Sequence, residues 1–395
     1  MSAFDSQMPR RQRIRVGFDA RWYNDSGVGS YVAGLLSAMV QMSNEVELLV
    51  YEDPTNPLPL PVNSQAQRIA IKAKRYSPAG QIELAQVCRQ HRLDVFHSPF
   101  YVVPLLARCR VVVTIHDLIP FLFPIYSSIK RFMVRGGYRM AVRKADHIIA
   151  DSNHTARDIE RILGIESNRI SVVHLAAQEC YKPEGESHEL NLLMEKYGVR
   201  PPYVLLPSAR NWQTKNLKTA LEVLRAAKEQ SGARFQTVVF GPPEGVEAVG
   251  NEESRRCVNL HYAGYVPTSE LARLYRNANL LLLPSLYEGF GLPLVEAMSC
   301  GCAVVCSDGG ALAEIAGNGA QVFNPADISG MANAIADLMC DEGKVRRWRE
   351  AALRRSLEFS WRKAARETIS VYDRTHKSGF LAERHSVAGE KDGLI

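Results

Sequence analysis

The sequence predicts an α/β protein built from two doubly wound domains with parallel sheets, and three observations carry that prediction. Short apolar runs recur between amphipathic stretches, the pattern of repeated βα units. The series breaks once, at a polar, proline-bearing stretch, and then begins again. A chain of 395 residues is long for one domain and comfortable for two.

In the first half, Ile14–Asp19, Val46–Tyr51, Arg68–Lys72, Asp94–His97, Arg110–His116, His147–Asp151 and Ile170–His174 read as strands. Helical stretches fall between most of them. Lys182–Ser187 is polar and carries Pro183 and Gly185, and a short helix-like piece leads to Pro201-Pro202. The second series is Tyr203–Pro207, Gln236–Gly241, Val258–Tyr262, Ala278–Pro284, Ala303–Ser307 and Gln321–Asn324. Domains are expected over residues 14–185 and 200–358, facing a cleft where the carboxyl ends of the strands collect ligands. From Lys377 the chain is polar and patternless, so residues 377–395 are expected to be a disordered tail.

Bulk properties exclude several classes. Lys plus Arg number 48 against 42 Asp plus Glu, a mild excess spread along the chain. That balance gives no case for nucleic acid as a partner, and no nucleic-acid-binding signature is present. It suits anionic ligands or an anionic membrane surface. The eight cysteines form no C-x2-C pair, and Cys300, Cys302 and Cys306 are poorly spaced for zinc. Buried reduced thiols, and a cytoplasmic protein that works at most at the inner face of the membrane, are expected. The N-terminal region is arginine-bearing without an apolar core, and no run of 18 apolar residues exists.

The densest signal is Glu288-Gly289-Phe290-Gly291-Leu292-Pro293-Leu294-Val295-Glu296. A buried strand, Ala278–Pro284, leads into it. Gly289 and Gly291 free the backbone and let a ligand approach it. Pro293 suits the first helical position. The amides around Gly291 and Leu292 then sit at a helix N-terminus, a ready seat for phosphate. Glu288 lies in the turn and Glu296 one turn into the helix. An anionic diphosphate can meet the amides while both carboxylates accept hydrogen bonds from hydroxyls at its two ends, the geometry of a nucleotide-sugar. The plainer reading is an ordinary strand-to-helix connection. Taken whole, the block resembles the Glu-x7-Glu signature of the family 4 retaining glycosyltransferases, of the bacterial group 1 mannosyltransferase type. That resemblance implies the GT-B fold of two Rossmann-like domains. It also implies a last helix, residues 359–376, that crosses back onto the first domain.

Donor binding is expected in the second domain. Lys215 follows strand Tyr203–Pro207 at a helix start, where its ammonium can offset charge growing on a departing phosphate. Arg210 is a candidate second cation; related enzymes carry Arg-Lys where this chain has Thr214-Lys215. The resemblance implies that backbone around Val266 faces the base, Glu296 holds the ribose hydroxyls, and Glu288 meets the transferred sugar or its phosphate.

Acceptor binding is expected in the first domain. Gly27-Val28-Gly29-Ser30-Tyr31 is not a dinucleotide fingerprint, because the glycines stand too far from the strand and position 32 is Val. It resembles the family's Gly-x-Gly-x-Tyr loop at the cleft floor, which places Gly27 and Gly29 near the ligands. His116-Asp117 ends the strongest apolar strand, and the resemblance sets His116 against the transferred sugar. His97 is a second cleft candidate, against the reading of a satisfied core histidine. Asp151-Ser152-Asn153 reads as a helix cap first and a ligand contact second. Arg131, Arg135, Arg139 and Arg143 recur every four residues, with Phe132, Met133 and Met140 able to face inward. This stripe is either a solvated helix face or a dock for anionic lipid headgroups.

The expected reaction is transfer of a sugar, with retention, from a GDP- or UDP-linked donor to a saccharide or lipid-linked hydroxyl acceptor in surface-polysaccharide assembly. His116, Glu288 and Lys215 are the expected catalytic residues. No metal is expected, since no Asp-x-Asp stands in supporting sheet context. A silent nucleotide-sugar-binding scaffold and a sugar-nucleotide epimerase are the alternatives.

Overall fold

The structure, a computed structural model, describes residues 13–42, 45–60, 64–209, 212–248 and 252–389. The first part of the chain alternates β1 (Ile14–Asp19), α1 (Ser26–Val40), β2 (Val46–Glu52), β3 (Gln67–Ala70), α2 (Pro78–Gln90), β4 (Val95–Ser98) and β5 (Arg110–Ile115). It continues with α3 (Ile119–Leu122), α4 (Ser128–Lys144), β6 (His147–Ala150), α5 (Asn153–Leu163), β7 (Ile170–Val172) and α6 (Glu189–Tyr197). Next come β8 (Tyr203–Pro207), α7 (Trp212–Lys215), α8 (Leu217–Ser231), β9 (Gln236–Phe240), α9 (Glu244–Ala248), α10 (Glu252–Cys257), β10 (Leu260–Gly264) and α11 (Thr268–Asn277). The chain ends with β11 (Leu280–Leu283), α12 (Leu292–Ser299), β12 (Ala303–Ser307), α13 (Leu312–Ala316), β13 (Gln321–Phe323), α14 (Ile328–Cys340), α15 (Glu342–Ser356) and α16 (Trp361–Gly389).

Every strand expected from the apolar runs is present. The strands form a seven-stranded sheet, β3-β2-β1-β4-β5-β6-β7, and a six-stranded sheet, β10-β9-β8-β11-β12-β13. The recorded strand pairings are parallel. Parallel sheets with helices on both faces need strands apolar on both sides, which is why β11 is four leucines, all buried. In each sheet the chain winds outward to one edge, returns beside its first strand and winds out to the other. The switch points lie between β1 and β4 and between β8 and β11.

By packing, the chain forms two compact units. The first holds the described residues up to Thr114, Gly137–Ile149 and the chain from Ala365; the second holds Ile115–Gly136 and Ala150–Ala364. In the first, Leu49, Tyr51 and Phe96 pack on Leu84 and Cys88 of α2. In the second, one face of β8, β11 and β12 packs on Leu221 and Leu224 of α8 and on Met331 and Ile335 of α14. Where a patternless tail was expected, α16 instead runs on through Gly389. Helix formers such as Leu381, Ala382, Glu383 and Arg384 allow that extension.

Candidate active site

The second sheet puts two expected site residues together at its switch point. The segment after β8 carries Lys215 and the one after β11 carries Glu288. The two segments are tied by Leu286 N donating to Thr214 O (2.7 Å) and Asn216 Nδ2 donating to Pro284 O (3.1 Å). Lys215 Nζ lies 2.6 Å from Glu288 Oε1, and both side chains are largely buried, at 14% and 13% exposure. Ser285 Oγ donates to the same carboxylate oxygen at 2.6 Å. The sequence reading gave Lys215 and Glu288 separate parts of a ligand; the structure makes them one ion pair.

The turn from Glu288 to Gly291 is held on two sides. Glu288 forms an isolated parallel bridge with Gly310, and Ala311 N donates to Glu288 O at 2.9 Å. On the other side, Ser152 Oγ and Thr155 Oγ1 of the α5 start donate to Gly289 O at 2.7 and 3.0 Å. A Cβ on Gly289 would stand 1.9 Å from His116 O, so only glycine fits beneath that strand end. Gly291 has φ 97° and is the N-cap of α12, which places Pro293 second in the helix rather than first. The Phe290 ring is buried against His174 and Phe359, so its backbone alone is left for a ligand. Glu296, one turn into α12, receives a hydrogen bond from Tyr275 Oη at 3.4 Å. Burial pushes its carboxyl up to about 7, against the opposing hydrogen bonds of Tyr275 and Tyr181.

His116 follows β5 and meets this turn from the far side. Its Nδ1 lies 2.6 Å from Asp151 Oδ2, and Asp151, which follows β6, is 2% exposed. The contact holds the His116 ring by Nδ1 and so fixes its orientation. Burial raises the Asp117 carboxyl above the usual range, against the hydrogen bond from Ile119 N (2.9 Å). Asp117 thus stands just before the Leu118 N-cap of α3 and accepts from its first amide. Ser152 is the N-cap of α5, accepting from Thr155 N at 3.0 Å, and its hydroxyl also reaches Gly289.

Other expected site residues lie elsewhere. Arg210 lies outside the described residues. Val266 is 6% exposed, in the segment after β10, where Gly241 N donates to Gly264 O at 2.9 Å. Gly27 and Gly29 belong to the first turn of α1 and not to a loop. His97 is a core residue. It is fully buried, with Nδ1 2.5 Å from Tyr372 Oη of α16 and Nε2 2.8 Å from Thr114 Oγ1. A ring satisfied at both nitrogens has nothing left for a ligand.

The arginine stripe is also revised. Arg135 turns inward and donates to Pro120 O and Phe121 O, each at 2.9 Å. Phe132, Met133 and Met140 point outward, at 78%, 69% and 51% exposure, and α4 buries Tyr138, Ala141 and Val142 instead.

Sequence reasoning missed Ser285, Asp151 as the partner of His116, Thr155, and Glu314 of α13. Glu314 accepts from Asn153 N and His154 N, at 2.9 and 3.0 Å, and from His174 Nε2 at 3.0 Å. Burial would raise its carboxyl, but these bonds outweigh it and hold it at about 2. The one legible signal was the Gly309-Gly310 pair after an apolar strand, which marks backbone passing close to backbone. Among the described residues no group of three or more His, Cys, Asp or Glu is placed to hold a metal ion. Nor is any helix among them long and apolar enough to cross a membrane.

Residues 193–355 match the family Glycosyl transferases group 1, and residues 26–177 match Glycosyltransferase Family 4. The chain is 29% identical to O-antigen chain mannosyltransferase B of Escherichia coli, over 73% of this chain and 76% of the relative. It is 37% identical to the MMP alpha-(1->4)-mannosyltransferase of Mycolicibacterium hassiacum, over 60% of this chain and 56% of the relative. It spans only 35% of the serotype-specific mannosyltransferase WbdA of Escherichia coli. The crystal structure of Anabaena HepE in complex with UDP-glucose aligns with a TM-score of 0.66 at 17% identity, covering 91% of this chain and 98% of that one. The likeness of fold, the two family matches and the Glu288–Glu296 block agree: this chain belongs to the group 1, family 4 glycosyltransferases and has the GT-B fold.

Proposed function

We propose that the chain transfers a hexose, of mannose type, from a GDP- or UDP-sugar to a hydroxyl of a saccharide or lipid-linked acceptor, with retention, in surface-polysaccharide assembly. The observation that carries this reading is the Lys215–Glu288 pair at the β8–β11 switch point, beside the N-terminus of α12 and Glu296. The mannosyltransferase relatives support the choice of sugar. Residues 14–185 would carry the acceptor side and 200–358 the donor.

The diphosphate would lie at Gly291 and Leu292, with Glu296 accepting hydrogen bonds from the ribose hydroxyls. The bond from the anomeric carbon to the phosphate oxygen breaks, and the acceptor oxygen bonds to that carbon on the same face. The acceptor's proton passes to the departing phosphate oxygen. Lys215 and the end of α12 offset the charge that grows there, so the protein's own groups carry that load without a metal. Glu288 is no nucleophile in this scheme, because its Oε1 already accepts from Lys215 and Ser285. His116, aligned by Asp151, would lie against the transferred sugar.

The test is incubation of purified protein with GDP-, UDP- and ADP-sugars, first alone and then with candidate acceptors. Product that appears only with acceptor supports transfer. Isomerised donor without acceptor is the epimerase outcome, and binding without turnover is the scaffold outcome. E288Q and K215A should each lower transfer at least tenfold while folding is retained; unchanged rates in both remove the site assignment.

The outward face of α4 would rest on an anionic membrane at the cytoplasmic side, with Ile129, Phe132 and Met133 at the acyl boundary and Lys130 and Arg131 on headgroups. Ile129 is 77% exposed. Co-sedimentation with anionic vesicles should be lost in F132E/M133E; retention of binding rejects this contact.

A further inference from the structure

A cavity of about 540 Å³ lies within the second unit, beside the turn that carries Glu288. Its apolar side is Leu122 and Phe123, which end α3, together with the ring of Tyr287. Its polar side comes from α5, where His154, Arg157, Asp158 and Arg161 recur at helical spacing on one face. Asp158 is the only acid of the lining and is already engaged. Tyr287 Oη donates to its Oδ2 and Arg161 Nη2 to its Oδ1, both at 2.7 Å, and His154 Nε2 stands 3.6 Å away. The lining therefore carries two guanidiniums against one carboxylate, over an aromatic floor. Arg161 is 68% exposed, and its bond to Asp158 uses Nη2 of its five N–H donors.

Paired guanidiniums one helical turn apart suit tetrahedral oxyanions, which accept from each fork. The apolar floor suits a body attached to that oxyanion and not a bare ion. Position supplies the rest of the argument. Tyr287 directly precedes Glu288, and the same α5 holds Gly289 through Ser152 and Thr155. A molecule seated here stands next to the reacting turn.

We propose that this cavity is an anion subsite for a phosphate ester borne by the acceptor. The phosphoryl oxygens lie on Arg157 and Arg161, and the body of the ester lies against Leu122, Phe123 and Tyr287. This rests on the glycosyltransferase reading above. The ester has two sources, an isoprenoid-type lipid phosphate or a phosphorylated saccharide, and both present the same head.

Titration calorimetry with farnesyl phosphate and with mannose 6-phosphate tests the subsite, with saturating GDP or UDP occupying the donor site. Wild type is expected to bind at least one probe while nucleotide is present. R157E, which leaves the Asp158 bonds untouched, and R157Q/R161Q should each weaken that probe at least tenfold. Both variants should keep the thermal shift that nucleotide produces. Preference for farnesyl phosphate identifies the lipid source, and preference for mannose 6-phosphate the saccharide source. No binding of either probe by wild type, or equal binding by both variants, overturns the proposal. Failure of the glycosyltransferase reading shows separately, as no nucleotide shift in wild type.

Discussion

On the proposed reading, in which Glu296 accepts from the ribose hydroxyls, donor binding should depend on pH near neutrality. Its carboxyl, raised by burial from the ordinary 4.5 to about 7, holds a proton over a range where the unfolded chain has lost it. Its contribution to stability is therefore complete below about pH 4.5 and declines as pH rises towards 7. The difference, 7 − 4.5 = 2.5 on the pH scale, corresponds to about 3 kcal/mol as an upper figure. A ribose diol that donates to the carboxylate needs the ionised form. At pH 6 roughly one molecule in eleven is ionised, so nucleotide binding should be about tenfold weaker than at pH 8. Calorimetric titration of GDP or UDP at pH 6, 7 and 8 measures this directly. Repeating it in buffers of different ionisation enthalpy counts the proton released. E296Q should flatten both the affinity profile and the loss of melting temperature between pH 5 and 7. A wild-type affinity independent of pH, or the same slope in E296Q, refutes the reasoning.

Three further outcomes follow from the site. K215A leaves the largely buried Glu288 carboxylate with Ser285 as its partner among the described residues, and breaking a buried pair on one side costs about 3 kcal/mol. Urea unfolding should show that K215A/E288A loses less than the sum of its single variants. D151N exchanges a charge-assisted bond to His116 for a neutral one, a change of about 1–2 kcal/mol. Turnover should fall about tenfold with KM nearly unchanged, and a kcat equal to wild type across pH 6 to 9 would discount the pair. G289A forces a methyl into the 1.9 Å approach to His116 O, and displacing that backbone should cost about 1–3 kcal/mol, read as a lower melting temperature.

Much of the fold was legible because parallel strands covered on both faces must be apolar throughout, as Leu280–Leu283 and Ala303–Ser307 are. The Glu288–Glu296 block was legible for a related reason: a strand end, a turn and a helix start are local structures, specified by neighbours in the chain. The partners of those residues were not. Lys215 meets Glu288 across 73 positions, and His116 meets Asp151 across 35, because sheet order sets strand ends side by side. His97 looked available at the end of its strand until Thr114 and Tyr372 closed on its ring. On α4 the four-residue spacing fixed which side chains share a face, yet packing alone decided that Arg135 turns inward and Phe132 faces water. The sequence by itself determined the strands, their two doubly wound series and the glycine-bearing turn from Glu288 to Gly291, all encoded within one βα unit at a time. Only tertiary structure decided which charges neutralise one another and which rings are enclosed, since those depend on groups brought near by distant parts of the chain.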